Sequence, residues 1–165
     1  MAKNRKIVYW DASVFIAWMK DEVRENAQEM GGVYETIAAV ERGEILLVCG
    51  EIINQDMIET VMTHEAQAKY YALFKRRKSQ LLPDDPRVKK LTREIREYYA
   101  VRREPVPKLA DATHLAYAIH YQVDEFHTFD HRLVALDGMV AGHGLRICKP
   151  WASQLLIPFA SPAAQ

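Results

Sequence analysis

Four aspartates stand at positions from which their carboxylates could bind a metal ion. Asp11 and Asp130 each follow an apolar run that is typical of a buried strand, so both are expected at the carboxyl edge of one sheet. Asp111 falls in the first turn of a predicted helix, at the border of its buried face. Asp56 is predicted on the packed side of another helix. Converging carboxylates repel one another, and a divalent cation relieves that repulsion. The four acids therefore predict a divalent metal site.

The carboxylate oxygens favour particular metal ions, and each acid also has an alternative structural role. An all-carboxylate set selects Mg²⁺ or Mn²⁺ over zinc, and the sequence shows no His or Cys spacing that is typical of a zinc site. Ser13 is expected to cap the first helix and could also contact the metal, and Thr128 is a strand residue that could be a ligand. Each aspartate could instead be a turn residue or a helix cap, and Asp111 could simply favour the positive end of its helix dipole.

The segments that must position these acids alternate between strand and helix. Apolar runs with β-branched and aromatic residues predict strands at 7–10, 45–49, 125–129 and 145–148. Helical spacing predicts helices at 14–19, at 33–43 after an interruption at Gly31 and Gly32, at 52–61, through 66–103 with one break at 82–86, at 108–121 and at 132–136. This alternation predicts an α/β fold with a mostly parallel sheet that is covered on both faces.

Composition limits the class of protein. The 165 residues, 49% of them hydrophobic, predict a single domain over 1–157 with a flexible tail at 158–165. The formal net charge is zero, so binding to nucleic acid would require a local basic patch. The two cysteines, Cys49 and Cys148, are expected to be free thiols. No segment has the pattern of a signal peptide or a membrane span, which predicts a cytoplasmic protein without membrane contact.

Three segments in this order resemble the motifs of the PIN-domain family: VYWDASVF at 8–15, LADATHLA at 109–116 and FHTFD at 126–130, with its Thr-x-Asp. The likeness extends from about residue 7 to residue 148. It implies a three-layer α/β/α sandwich with a parallel sheet of four or five strands. It also implies a Mg²⁺- or Mn²⁺-dependent nuclease, usually one that cleaves RNA.

The resemblance also assigns the acids. The family roles in catalysis and metal binding carry over to Asp11, Asp111 and Asp130. The family has a further acid, normally glutamate, on the helix after the second strand, and its offset from Gly50 places it at Asp56, with Glu59 as the second candidate. Aspartate is one methylene shorter than glutamate, so this position departs from the family pattern.

Many small PIN proteins resemble the toxins of VapBC toxin–antitoxin pairs. For this chain the likeness implies an antitoxin protein as partner and a homodimer, although the charged helical section at 66–103 makes the chain longer than the compact toxins.

A basic cluster is the candidate for substrate binding. Lys75, Arg76, Arg77 and Lys78 could contact an RNA backbone, or they could form a solvated helix face.

Three other functions compete with a PIN nuclease. The first is an inactive PIN domain that binds RNA or protein, suggested by the shorter acid at position 56. The second is a phosphatase of another α/β family, which would usually carry a second acid where this chain has Ser13. The third is a structural α/β protein in which the acids serve as caps.

Overall fold

A single parallel sheet organises the protein. The computed structural model describes residues 5–75 and 78–153. Its five strands lie in the order β3-β2-β1-β4-β5, and every pairing is parallel. The strands are β1 (Lys6–Trp10), β2 (Ile45–Gly50), β3 (Ser79–Leu82), β4 (Glu125–His127) and β5 (Ile147–Cys148). The predicted α/β class with a parallel sheet is confirmed.

Helices cover both faces of the sheet. They are α1 (Ala12–Met19), α2 (Ala27–Glu41), α3 (Ile53–Glu59), α4 (His64–Lys75), α5 (Pro86–Val101), α6 (Leu109–His120) and α7 (His131–Val134). Successive residues of a strand point to opposite faces. Accordingly, Tyr9 packs in the core under α5 and α6, whereas Val8 and Trp10 pack in the core under α1, α2 and α4. The result is three layers, helices–sheet–helices.

The third strand differs from the prediction, which had a helical section through 66–103 with a single break. In the structure α4 is followed by β3 and only then by α5. β3 has four residues, and its register runs from the Leu47–Ser79 pair to the Gly50–Leu82 pair. A strand this short carries little signal of its own, and its pairing with β2 decides its conformation. The start of α5 agrees with the sequence, because Asp85 caps it and Pro86 is its first residue.

The two adjacent glycines also differ from the prediction, because α2 begins at Ala27 and continues through them. A side chain at Gly32 would collide with the backbone of Pro150 and Trp151. The segment after β5 therefore lies directly on α2, and the backbone N–H of Ala152 donates to the carbonyl of Gln28 at 3.0 Å. Here glycine permits a close approach rather than ending a helix.

Other boundaries shift by a few residues. β4 ends at His127 rather than at residue 129, β5 begins at Ile147, and α7 spans His131–Val134. Both cysteines are free, and Cys49 is buried. The predicted tail at 158–165 lies outside the described residues. Within the part of the chain that is described, no helix is long and apolar enough to cross a bilayer.

Candidate metal centre

Asp11 lies where β1 ends, and it caps the first helix. Its Oδ1 accepts hydrogen bonds from the backbone N–H of Val14 at 3.2 Å and from the hydroxyl of Ser13 at 2.6 Å. The cap is therefore Asp11, and Ser13, predicted as the cap, lies in the first turn of α1. The Ser13 hydroxyl also accepts from the backbone N–H of Phe129 at 3.0 Å. Ser13 thus ties the end of β1 to the segment after β4.

Asp11 is only 6% exposed. Burial raises its pKa, because a charged carboxylate is poorly solvated there, while His114 and the hydroxyls of Ser13 and Thr128 act in the opposite direction. Among the described residues, no Lys or Arg side chain is hydrogen-bonded to Asp11. Burial of this carboxyl is therefore offset by hydroxyl groups and by His114, and by no Lys or Arg among the described residues.

Asp130 follows β4, and its charge is balanced. It caps α7, and its two oxygens accept from the Arg132 guanidinium at 3.1 and 2.7 Å. Hydrogen bonding to Arg132 lowers the pKa of the Asp130 carboxyl. Thr128 is fully buried, and its hydroxyl accepts from the backbone N–H of Asp130 at 3.0 Å. Thr128 therefore fixes the turn that presents Asp130.

Asp111 lies in the first turn of α6 and is half-buried. Burial raises the pKa of its carboxyl, and the negative charges of Asp130 and Asp11 raise it further. The structure therefore brings Asp11, Asp111 and Asp130 into one electrostatic environment at the carboxyl edge of the sheet. Their oxygens are not drawn as closely together as the ligands of a bound ion would be. Among the described residues, the one triplet of ligand atoms within 4.8 Å of one another lies elsewhere.

Asp56 reaches this group through a buried histidine. His114 is 3% exposed, and its Nε2 lies 3.1 Å from Oδ2 of Asp56. Its Nδ1 lies 2.7 Å from the hydroxyl of Tyr9, which also accepts from the backbone N–H of Gly50 at 3.0 Å. A hydrogen-bonded chain thus runs from the end of β2 to Asp56. Glu59, by contrast, is exposed at the end of α3.

Sequence reasoning missed His114, Tyr9 and Arg132. The signal for His114 was its spacing, because it follows Asp111 by three residues and so lies on the same side of α6. Arg132 follows Asp130 by two residues, and that spacing can place a guanidinium on a capping carboxylate. Tyr9 had no signal, since only the tertiary structure brings its hydroxyl to α6.

Of the basic cluster the structure describes Lys75 and Lys78, and Lys78 lies away from the acids. Lys78 immediately precedes β3, and its Nζ bonds to the Glu41 side chain at 3.2 Å, at the end of α2. It therefore lies toward the amino ends of the strands, whereas Asp11 and Asp130 lie at the carboxyl ends. Lys75 is exposed at the end of α4. Arg76 and Arg77 lie outside the described residues. RNA contact by this cluster stays a prediction.

A second group of metal-ligand types appears beside β5. Ligand atoms of Glu125, His127 and Cys148 lie within 4.8 Å of one another. Local spacing could not reveal this group because Cys148 comes from a different strand than Glu125 and His127. The indole N–H of Trp10 lies 3.2 Å from Nδ1 of His127, and Nε2 of His127 lies 3.1 Å from Glu125.

These contacts use both imidazole nitrogens of His127. An indole N–H can only donate, so Nδ1 accepts, and Nε2 carries the proton that is donated to Glu125. Lys6 also pairs with Glu125 at 2.7 Å. Glu125, His127 and Lys6 therefore form a satisfied network of hydrogen bonds and ion pairs. Asp11 and Asp111, which have no hydrogen-bonded Lys or Arg among the described residues, lie at the carboxyl edge of the sheet.

A family model described as PIN domain matches residues 8–139, which is more than half of the chain. The chain belongs to the PIN domain family. Members of this family are generally nucleases. A search of curated proteins found no match.

Several solved structures share the fold of this PIN domain. VapBC2 from Rickettsia felis, bound to a DNA fragment from its promoter, aligns with a TM-score of 0.63 at 9% identity, over 86% of this chain and 98% of that one. FitAcB from Neisseria gonorrhoeae gives 0.57 at 17% identity, over 87% and 98%. VapBC-5 from Mycobacterium tuberculosis, described as a member of the VapBC family of toxin–antitoxin systems, gives 0.52 at 16%, over 87% and 98%. At these identities the likeness establishes the fold.

Proposed function

We propose that this PIN domain is a metal-dependent endoribonuclease that hydrolyses RNA phosphodiester bonds. The observation that carries the proposal is the pair of carboxylates Asp11 and Asp111, whose pKa values are raised by burial and which are hydrogen-bonded to no Lys or Arg among the described residues. Retaining such groups lowers stability unless a cation binds them. Their retention at the carboxyl edge of a parallel sheet supports a binding site.

The donor set fits Mg²⁺ or Mn²⁺, since both prefer carboxylate oxygen and accept open, hydrated positions. Asp11 and Asp111 are the principal ligands in this proposal, and Asp130 and Asp56 complete the set. Such an ion, when bound, supplies the Lewis acid that activates water and stabilises the leaving oxygen. Ser13 and Thr128 act as supporting residues, because they hold Asp11 and the Asp130 turn in place.

Asp56 is the better candidate for the fourth acid. It is only partly exposed, and its contact with His114 directs it toward the Asp111 helix, whereas Glu59 is exposed at the end of α3. His114 could therefore act as a positioning residue that compensates for the shorter side chain of aspartate.

The structural neighbours support a toxin–antitoxin role. Toxin–antitoxin proteins of the VapBC family share this fold, and one of these complexes is bound to promoter DNA. We therefore propose a cognate antitoxin protein as partner and a homodimer as the assembled form.

A second candidate is a PIN domain that binds RNA or protein without cleaving it. The observation behind it is the aspartate at position 56, where the family resemblance implies glutamate. A binding module would keep its fold while binding Mn²⁺ weakly at the acids.

Cleavage of a pool of structured and single-stranded RNAs tests the proposal. Purified protein, freed of any copurifying partner, is incubated with EDTA, Mg²⁺ or Mn²⁺, beside an Asp11→Asn/Asp111→Asn variant. We expect cleavage with metal, none with EDTA and none by the variant. Folded wild-type protein that cleaves nothing with either metal contradicts the nuclease, and Mn²⁺ titration calorimetry then tests the binding module.

A further inference from the structure

Phe129 is the residue immediately before Asp130, in the turn that follows β4. Its backbone N–H donates to the Ser13 hydroxyl at 3.0 Å, and the same hydroxyl donates to Asp11. Its ring packs against the core under α1, α2 and α4. The position of Phe129 therefore affects both the turn that presents Asp130 and the link from that turn to Asp11.

A guanidinium group covers the ring of Phe129. Arg24 belongs to the loop between α1 and α2, and its guanidinium carbon lies 3.8 Å from the centre of the Phe129 ring. A planar cation over an aromatic face is attracted by the ring and packs closely on it. The Arg24 side chain is 27% exposed, so the contact is partly shielded from water. Arg24 therefore restrains Phe129 from the side of the α1–α2 loop.

Glu29, a buried residue in the first turn of α2, holds Arg24 in that position. Its Oε2 accepts from Nε of Arg24 at 2.5 Å, and its Oε1 accepts from Nζ of Lys149 at 2.7 Å. Burial acts to raise the pKa of the Glu29 carboxyl, but the hydrogen bonds from the two cations outweigh it and lower that pKa. Glu22, 3.7 Å from the Arg24 guanidinium, is a more distant partner. Together Arg24, Glu29 and Lys149 form the Glu29 bridge.

Lys149 anchors the Glu29 bridge to the segment that follows β5. This segment lies directly on α2, where the backbone N–H of Ala152 donates to the carbonyl of Gln28 at 3.0 Å. Lys149 also lies outside residues 8–139, which the PIN family model matches. The bridge therefore joins a segment beyond the matched residues to the ring that precedes Asp130.

We propose that the Glu29 bridge holds the ring of Phe129 and thereby positions Asp130 at the metal centre. The inference rests on the proposed function, in which Asp130 completes the set of metal ligands. Residues that orient a ligand without touching the metal commonly change metal affinity by about 10–100-fold when they are mutated. Arg24 and Glu29 are therefore positioning residues. Lys149 contributes indirectly, because it reaches Arg24 through Glu29, and its effect should be smaller.

A purely structural role is the competing explanation. A bridge that only stabilised the fold would change the free energy of unfolding and would alter amide exchange across the molecule, without a particular effect on the turn after β4. Positioning requires a local effect on that turn together with a change in metal binding.

Amide hydrogen exchange of the metal-free protein tests the bridge, because it measures local opening and requires neither metal nor cleavage. The reporters are the backbone N–H groups of Phe129 and Asp130, and the N–H of Gly50, at the end of β2, is the internal reference. Mn²⁺ affinity is measured separately by titration calorimetry. Arg42→Gln is the matched control, because Arg42 pairs with Glu44 at the amino end of β2. The test variants are Arg24→Gln, Glu29→Gln, Lys149→Gln and Arg24→Lys.

We expect Arg24→Gln and Glu29→Gln to speed exchange at the two turn amides by about tenfold and to weaken Mn²⁺ binding by about tenfold. Lys149→Gln should speed exchange at the turn by only about twofold, since its contact is partly exposed. Arg24→Lys keeps a cation near Glu29 and the ring, so it should restore both properties to within about threefold of the wild-type values. Exchange at Gly50, and both properties of Arg42→Gln, should match the wild-type protein. Circular dichroism establishes that each variant is folded.

Three results overturn the proposal: unchanged turn exchange in folded Arg24→Gln and Glu29→Gln, exchange that rises equally at Gly50, and faster turn exchange with unaltered Mn²⁺ affinity. If wild-type protein cleaves RNA and any of these is found, the nuclease stands and the Glu29 bridge supports only the fold. If wild-type protein binds no Mn²⁺ and cleaves no RNA while the turn amides respond as expected, the proposed function fails and the bridge stands as the support of the turn.

Discussion

Two clusters of ionisable side chains lie at β4, and they differ in how their charges are balanced. Glu125 accepts from His127 and pairs with Lys6, and these contacts lower its pKa to about 2. At the carboxyl edge of the sheet, burial and neighbouring carboxylates raise the pKa values of Asp11 and Asp111. The Glu125 cluster is balanced by its own side chains, whereas Asp11 and Asp111 accept no hydrogen bond from a Lys or Arg among the described residues.

We propose that this difference separates a structural role from a functional one. Buried charge that is paired contributes to the fold, and buried charge without a partner persists where a ligand supplies the missing charge. Residue types alone would have favoured the Glu125 cluster as the metal site, since Glu, His and Cys are ordinary zinc ligands. Both ring nitrogens of His127 are already hydrogen-bonded, which favours the acids at the carboxyl edge instead. The following substitutions test this assignment.

The largest expected difference is in cleavage. Asp111→Asn should reduce the rate by at least about 100-fold, because it removes a ligand of the proposed metal, which supplies several kcal/mol of transition-state stabilisation. Glu125→Gln should leave the rate within about twofold of the wild-type rate, since Glu125 is paired within the protein and takes no part in the proposed cleavage. Initial rates on one cleavable RNA measure both. Equal loss in the two variants would erase the functional distinction between the clusters.

Mn²⁺ should raise the thermal stability of the protein only when Asp11 and Asp111 are intact. At a free Mn²⁺ concentration of 100 times Kd, binding to the native state adds about 2.7 kcal/mol, which raises Tm by roughly 5–10 °C in a domain of this size. Thermal melts with and without Mn²⁺ should show this shift in wild-type protein and Glu125→Gln. The shift should vanish in Asp11→Asn/Asp111→Asn. A shift lost in Glu125→Gln instead would place the metal at the Glu125 cluster.

Lowering the pH should remove the stability that the contacts of Glu125 contribute. The folded pKa of about 2 lies below the ordinary value of 4.5, so the contribution to stability is complete above about pH 4.5 and is lost as pH falls toward 2. Glu125→Gln should cost about 1–2 kcal/mol at pH 7 and flatten the loss of stability over that window. Urea unfolding at several pH values measures it, with exposed Glu104→Gln as control. A profile that Glu125→Gln leaves unchanged would show that the cluster is not balanced as described.

The smallest expected effect on metal binding concerns the hydrogen-bonded chain to Asp56. Tyr9→Phe removes the hydroxyl that Gly50 and His114 share, which should cost about 1–3 kcal/mol in stability and weaken Mn²⁺ binding by less than about tenfold. Tyr99→Phe is the matched control, because its buried hydroxyl accepts from the backbone N–H of Ala141 at 3.1 Å.

Tyr99→Phe should lose similar stability and keep the Mn²⁺ affinity. Titration calorimetry at constant protein concentration separates the two variants. If both bind Mn²⁺ as wild-type protein does, His114 does not position Asp56 for the metal.

Much of the fold followed from local sequence. The buried strands that precede Asp11 and Asp130 were readable because a strand buried on both faces needs a nearly continuous apolar run. Asp85 and Pro86 marked the start of α5 because their capping chemistry is local. β3 was missed, because a four-residue strand is decided by its partner β2, and Gly32 was misread, because the chain that approaches it is more than a hundred residues away.

The sequence by itself determined the α/β class, the positions of four candidate acids and the resemblance to the PIN-domain family. These depend on residue types and short spacings. Only the tertiary structure decided which of the distant charges are balanced, since His114 on Asp56 and Lys6 on Glu125 are contacts between side chains far apart in sequence. Charge balance depends on distance and burial, which arise only when strands and helices pack together.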